Sequence, residues 1–380
     1  MTASNFTVMH FEFATASRVI FGAGAAAPAR LLALVNEHGS RPMRITGRRL
    51  ADTADFVVPA EPTIHLVREG VEACRNGHFD CVLAIGGGSV IDAAKAIAIL
   101  ATNPGSDPLD YLEVVGRGHA LRRPGLPCIA VPTTAGTGSE VTRNAVLASP
   151  ADRMKASLRS PFMLPAVALV DPDLTLDLPP AITASTGLDA LTQLIEPVLS
   201  IRANPFTDAL CLEGIRRAAA SLKPTFLDGH NREARAAMSY AALLGGMALA
   251  NAGLGVIHGF AAPIGGMFPD APHGAVCAAL LPHGMQENLA AIKHRAPEKA
   301  VRFAEIARIL TNTSSAHAED GIEWIQRLVD DLHIPGLSSY GITPADVPGL
   351  VEKAANASSM KANPLPLTME ELTQILTAAL

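Results

Sequence analysis

An α/β half followed by an all-helical half is the fold class this sequence predicts, and three observations predict it. Short apolar runs bounded by glycine or proline (RVIFG, PMRIT, CVLAIGGG, CIAVPTT and AVALVDP) recur between Arg18 and Asp171 with helical stretches between them. That is the pattern of buried parallel strands in βα units. After Leu178 such runs stop, and Leu188, Leu191, Ile195 and Val198 recur at helical spacing. The change falls in DPDLTLDLPP, where Pro179 and Pro180 end one element and open a helix. The expected domains are residues 1–178 (α/β) and 179–380 (helical), with a ligand cleft between them.

Along the chain, VIDAAKAIAILAT reads as a helix with Val90, Ala93, Ala94, Ile97 and Ala98 on one face. EARAAMSYAALLGGMALANAG, KAVRFAEIARIL and EDGIEWIQRLVDDLH continue the helical theme to the C-terminal side. The sequence holds 30 Lys+Arg against 36 Asp+Glu, a net charge of −6, and so lacks the basic footprint of a nucleic-acid partner. With 49% hydrophobic and 17% charged residues it is a globular chain. One Trp and three Tyr beside 31 Gly point to backbone that approaches a ligand closely, and away from an aromatic-rich surface.

Five scattered cysteines without a CxxC pair fit a reduced compartment. MTASNFTVMHFEFATASRVIF lacks the pattern of a signal peptide, and no apolar run nears the roughly 20 residues of a membrane span. A cytoplasmic protein with no membrane partner is expected.

Two loops carry the chemistry. In the first, Gly86, Gly87, Gly88 and Ser89 end a strand and open a helix. Glycines there let backbone reach a pyrophosphate, and the helix start offers unpaired N–H groups. Asp92, in the first turn, is a candidate for a hydroxyl or amide of the same ligand; tight-turn glycines are the alternative. The second loop, Pro132 to Glu140, brings Thr133, Thr134, Thr137 and Gly138. Its hydroxyls suit a nucleotide's sugar and carboxamide, or else cap the next helix.

GGGSVIDAAKAIA, PTTAGTGSEVT, ALVDPDLTLDLPP, TGLDALTQLIE and GVIHG…PHGAVCAALLPH, in this order, resemble the iron-containing alcohol dehydrogenase family. Glycerol dehydrogenases, maleylacetate reductases and dehydroquinate synthases belong to the same superfamily. The resemblance implies a Rossmann-like domain followed by a helical domain, as in dehydroquinate synthase. It implies hydride transfer between a nicotinamide cofactor and an alcohol or carbonyl, a divalent metal (Fe2+ or Zn2+) in the interdomain cleft, and a homodimer.

The family's ligands, an Asp, a His four residues later and two further His, fall on Asp189, Gln193, His258 and His273. Gln193 thus stands where a histidine is usual, and Ala262 stands where many members have a proton-relay histidine. A helix puts Asp189 and Gln193 on one side, and a carboxylate with two imidazoles makes a three-ligand catalytic site. His258 and His273 are therefore the catalytic candidates, and they keep a carbonyl-polarising role in a metal-free, maleylacetate reductase-like alternative. His283 is a substitute relay candidate. A dehydroquinate synthase-like lyase would need cleft cations such as Arg202, Arg216, Arg217, Lys223, Arg232 and Arg235, and a catalytically impaired nucleotide-binding relative is the third alternative.

The cofactor is NADP or NAD. Gly47-Arg48-Arg49 follows PMRIT with no acidic residue to repel a 2′-phosphate, which favours NADP. Lys155 resembles a position near the cofactor. The substrate is a small alcohol or aldehyde, or a hydroxy or oxo acid should Arg143 enter a pocket lined near Leu254, Phe260 and Phe268.

Overall fold

The computed structural model describes residues 10–103 and 107–380, so the first nine residues of the N-terminal run fall outside it. Six parallel strands form one sheet in the order β1-β8-β5-β4-β2-β3. They are β1 (Arg18–Phe21), β2 (Pro42–Thr46), β3 (Phe56–Val57), β4 (Cys81–Gly86), β5 (Cys128–Pro132) and β8 (Val167–Val170). The five apolar runs of the sequence are β1, β2, β4, β5 and β8. β6 (Asn144–Ser149) and β7 (Met154–Arg159) form a separate antiparallel hairpin. Sequence reading missed that hairpin, because its alternation is carried by Ala, Ser and Lys, which are weak strand formers. Only burial reveals it: Ala145, Leu147, Ala156 and Leu158 turn inward.

Side chains alternate along the strands, so the sheet is buried on both faces. Leu83, Ile129, Val131 and Leu169 meet α1 (Pro28–His38) on one face. Met43, Ile45, Val82 and Ala130 meet α2 (Ile64–Asn76) and α3 (Gly88–Thr102) on the other. A short α4 (Pro108–Tyr111) follows α3. Helix α3 is buried all round, Lys95 included, and not along one face only.

From Pro180 onwards only helices occur: α5 (Pro180–Leu199), α6 (Pro205–Leu227), α7 (Arg232–Ala252), α8 (Val256–Met267), α9 (His273–Arg295), α10 (Ala300–Thr311), α11 (Ala318–Asp331), α12 (Val347–Ala355) and α13 (Met369–Ala378). Proline at the start of α5 needs no N–H bond there and presets the helical φ. Leu188, Leu191, Ile195 and Val198 are all fully buried on α5, which packs against α6, α7 and α9. Ala16, Val141, Ala168, Val170 and Leu243 join the sheet to the helical half through a small shared cluster. Among the described residues no single helix is long and apolar enough to cross a membrane, and all five cysteines are free thiols.

Lys95 ties α3 to the loop after β5. Its Nζ lies 3.0 Å from Asp92 Oδ1 and donates to Ser139 O at 2.9 Å and Thr142 Oγ1 at 2.8 Å. The neighbouring Glu140 is 3% exposed. Burial pushes its carboxyl up to about 7, against smaller lowering by its own amide and by Lys95. The unfolded chain therefore gives up this proton before the folded chain does. Stability falls as pH rises from about 4.5, the ordinary carboxyl value, to about 7. Glu140→Gln should raise the melting temperature by a few degrees at pH 8, on the order of 3 kcal/mol at most, and by almost nothing at pH 4.5. Equal differences at both pH values would contradict this.

Candidate active site

Helix α5 is buried along most of its length, so each polar side chain on it needs an answering group. Asp189, Gln193 and Glu196 stand at i, i+4 and i+7, one stripe of the helix, and are 1%, 3% and 4% exposed. Glu196 is answered by the start of α8. Its Oε1 accepts the Ile257 N–H at 2.8 Å, and its Oε2 lies 2.6 Å from His258 Nδ1. With Nδ1 held by that carboxylate, Nε2 faces Asp189, 3.3 Å from Oδ1.

His273 opens α9, with Nε2 3.8 Å from the same Oδ1 and a side chain 35% exposed. One turn later Cys277 sets Sγ 3.8 Å from His273 Nε2. Single donor atoms of Asp189, His258, His273 and Cys277 all lie within 4.8 Å of one another. Gln193 Nε2 donates to Asp189 Oδ2 at 3.0 Å. Among the described residues Asp189 Oδ1, Gln193 Oε1 and His258 Nε2 are buried without a hydrogen-bond partner.

The charges respond to this crowding. Burial alone would raise the Asp189 carboxyl, yet the His258 contact and the charges of both histidines hold it below its ordinary value. Burial opposes protonation of His258, but the negative neighbours Cys277 and Glu196 raise it well above the ordinary imidazole value. His273 is raised first by Cys277. Burial pushes the Cys74 thiol up to about 11 and Cys81 and Cys128 up to about 12. Cys277, equally buried, is instead lowered, because His258 and His273 outweigh burial. Sequence reading missed Cys277 and Glu196. Their signal was their spacing, four residues after His273 and seven after Asp189 on the same helices.

The two predicted loops stand side by side at the carboxyl ends of the adjacent strands β4 and β5, where α/β sheets bind ligands. Helix α3 starts at Gly88 with no side-chain cap on its N–H groups. A Cβ on Gly87 would come 3.4 Å from Thr134, and one on Gly88 would strike Thr137 at 2.6 Å. Gly87, Gly88, Ser89, Thr133, Thr134 and Thr137 are all partly exposed, whereas Gly86 and Gly138 are buried. Asp92 has both oxygens taken by protein donors: Ser139 Oγ and Lys95 on Oδ1, and the Val146 N–H at 2.9 Å on Oδ2. It braces the second loop.

After β2, a Cβ added to Gly47 would come 3.7 Å from Val90 of α3, and Arg48 and Arg49 are exposed with no side-chain partner among the described residues. Lys155 Nζ donates to Glu61 Oε1 at 2.6 Å and packs under Gly265 of α8.

Other expectations need correction. Phe260 is fully buried in the helical core. His283 sits ten residues beyond His273 on α9 (about 15 Å along the axis) in a groove of roughly 360 Å³ against α13. It is out of reach of the cluster.

Gly138 brings the two halves together. Its φ is +59°, and an added Cβ would meet the Gly246 Cα of α7 at 2.4 Å. Gly138→Ala should therefore lose at least about 2 kcal/mol of stability, read from denaturant unfolding, because both strain and overlap fall on backbone. An unchanged midpoint would contradict this packing.

Comparison with known proteins agrees with this layout. The profile described as "Iron-containing alcohol dehydrogenase" matches residues 16–172, and "Fe-containing alcohol dehydrogenase family, C-terminal" matches 183–380. The chain is 40% identical over 319 residues to 1,3-propanediol dehydrogenase of Citrobacter freundii, covering 82% of this chain and 79% of that one. It is 38% identical to alcohol dehydrogenase 4 of Saccharomyces cerevisiae, over 84% and 80% of the two chains. Among solved structures, a 1,3-propanediol oxidoreductase superposes with TM-score 0.87 at 33% identity, over 98% of this chain and 100% of that one. Sulfoacetaldehyde reductase of Bifidobacterium kashiwanohense in complex with NAD+ does so with TM-score 0.83 at 28% identity, over 98% and 99%.

Proposed function

This chain belongs to the iron-containing alcohol dehydrogenase family and is an oxidoreductase acting on CH–OH groups, and from that premise we propose a metal-dependent, NADP-preferring reductase of small aldehydes and dehydrogenase of the matching alcohols. The family implies a divalent metal and a nicotinamide cofactor. The observation that carries the metal is the set of orphaned atoms. Metal–ligand bonds of about 2.0–2.3 Å put neighbouring ligand atoms of a tetrahedron about 3.3–3.8 Å apart. Asp189 Oδ1 lies 3.3 Å from His258 Nε2 and 3.8 Å from His273 Nε2. Asp189 Oδ1 and His258 Nε2 are buried with no hydrogen-bond partner among the described residues, and a divalent ion would answer both.

Asp189, His258 and His273 would hold the metal. When bound, it polarises the substrate oxygen while the nicotinamide gives or takes the hydride. Glu196 fixes the His258 ring through Nδ1, so that Nε2 is the nitrogen turned towards Asp189. His273, the partly exposed member, stands at the open side where substrate and solvent reach the cluster.

The uncapped start of α3 and the glycines before it suit a pyrophosphate, and the hydroxyls of Thr133, Thr134 and Thr137 suit the rest of the dinucleotide. Arg48 and Arg49, which follow Gly47 at the end of β2 and have no side-chain partner among the described residues, suit the 2′-phosphate of NADP. Of the cations a lyase reading would require, five are engaged elsewhere: Arg216 and Arg217 with Glu213, Lys223 with Asp331, Arg232 with Asp173, and Arg235 with the Gly229 and Leu178 carbonyls.

The test is loss of nicotinamide absorbance when metal-loaded protein meets NADPH and a panel of short aldehydes. Activity is expected, and Asp189→Ala should abolish both metal content and turnover, leaving at most a hundredth of the rate. No turnover with any aldehyde or alcohol under any divalent metal would end the reading. Arg48→Ala should cut the NADPH-over-NADH preference by roughly tenfold, the loss of about 1.4 kcal/mol of phosphate contact. An unchanged ratio would remove Arg48 from the phosphate site.

A further inference from the structure

We propose that Cys277 is a fourth protein ligand of the metal, so that this chain binds the ion through a carboxylate, two imidazoles and a thiolate. The inference rests on the metal reading above and adds a donor that the sequence did not suggest.

Three observations carry it. Helix α9 repeats the device of α5: His273 and Cys277 are one turn apart, as Asp189 and Gln193 are, so both helices aim an i, i+4 pair at one point. Cys277 Sγ is 3.8 Å from His273 Nε2, the spacing expected between a nitrogen and a sulfur on one ion. All four donor atoms fall within 4.8 Å of one another, and the buried His258 Nε2 and Asp189 Oδ1 that share this space have no hydrogen-bond partner.

Gln193, the other residue facing the cluster, donates through Nε2 to Asp189 Oδ2, and its buried, unpartnered Oε1 offers only a neutral amide oxygen. Asp189 and a Cys277 thiolate would each bring a negative charge to the ion, beside the buried Glu196 carboxylate that holds His258. The thiol proton leaves when the metal binds. A donor set of one oxygen, two nitrogens and one sulfur suits zinc or another borderline ion better than a hard cation. The partly exposed side of His273 leaves room for substrate as a fifth ligand, an expansion that zinc centres tolerate.

Cobalt(II) titration of metal-free, full-length protein, followed by absorption spectroscopy, separates the possibilities without measuring turnover. The expected result is visible ligand-field bands together with an intense near-ultraviolet thiolate-to-cobalt band. In Cys277→Ser the visible bands persist, the thiolate band is lost, and saturation needs at least tenfold more cobalt. The four other thiols remain in that variant, so the loss identifies this sulfur. Visible bands without a thiolate band in the unaltered protein would overturn the role of Cys277 and leave Asp189, His258 and His273 as the site. So would a thiolate band that survives Cys277→Ser. No bands at all would overturn the metal reading itself, and this inference with it.

Discussion

Glu196 on α5 holds His258 on α8 at 2.6 Å, both side chains almost fully buried, and the rest of the site depends on that contact. One carboxylate oxygen takes the ring N–H and the other takes the Ile257 amide at the start of α8. The bond therefore fixes where α8 begins, how the imidazole is turned and which nitrogen is free. A buried imidazole with an unanswered Nε2, facing a buried carboxylate with an unanswered oxygen, is an expensive arrangement for a protein that binds nothing there. A divalent ion, as proposed, would answer both atoms at once.

The second constraint is backbone proximity. Gly138 lies against Gly246 of α7, and an added Cβ on Gly136 or Gly274 would strike Thr186 or Ser185 of α5. These contacts leave no room for side chains, so the loop after β5 touches the very helix that carries Asp189. The Asp92–Lys95 pair fastens that loop to α3 from the other side. The two glycine-rich loops and the acid–imidazole cluster are thereby held in register by small residues and one buried ion pair.

Much of this was legible in the sequence. The five apolar runs became the strands they resembled, and the double proline at 179–180 opened the helix it was read to open. Asp189, His258 and His273 were legible through the family motif, and the structure brings them together from three helices. What was hidden depended on three-dimensional context. Cys277 looked like any of five scattered cysteines until α9 turned it towards two imidazoles. Asp92 read as a ligand contact from its place in the first helical turn, yet its oxygens are taken by Ser139, Lys95 and Val146, which lie three or more than forty residues away. Phe260 followed the motif closely but faces the core, because a helix turns successive residues through its whole circumference.

Anomalous diffraction from crystals of the metal-loaded protein, collected at the metal's absorption edge, tests the central claim most directly. The account predicts one strong peak within about 2.0–2.3 Å of Asp189 Oδ1, His258 Nε2, His273 Nε2 and Cys277 Sγ. A peak elsewhere on the molecule, or none at this cluster, would contradict it.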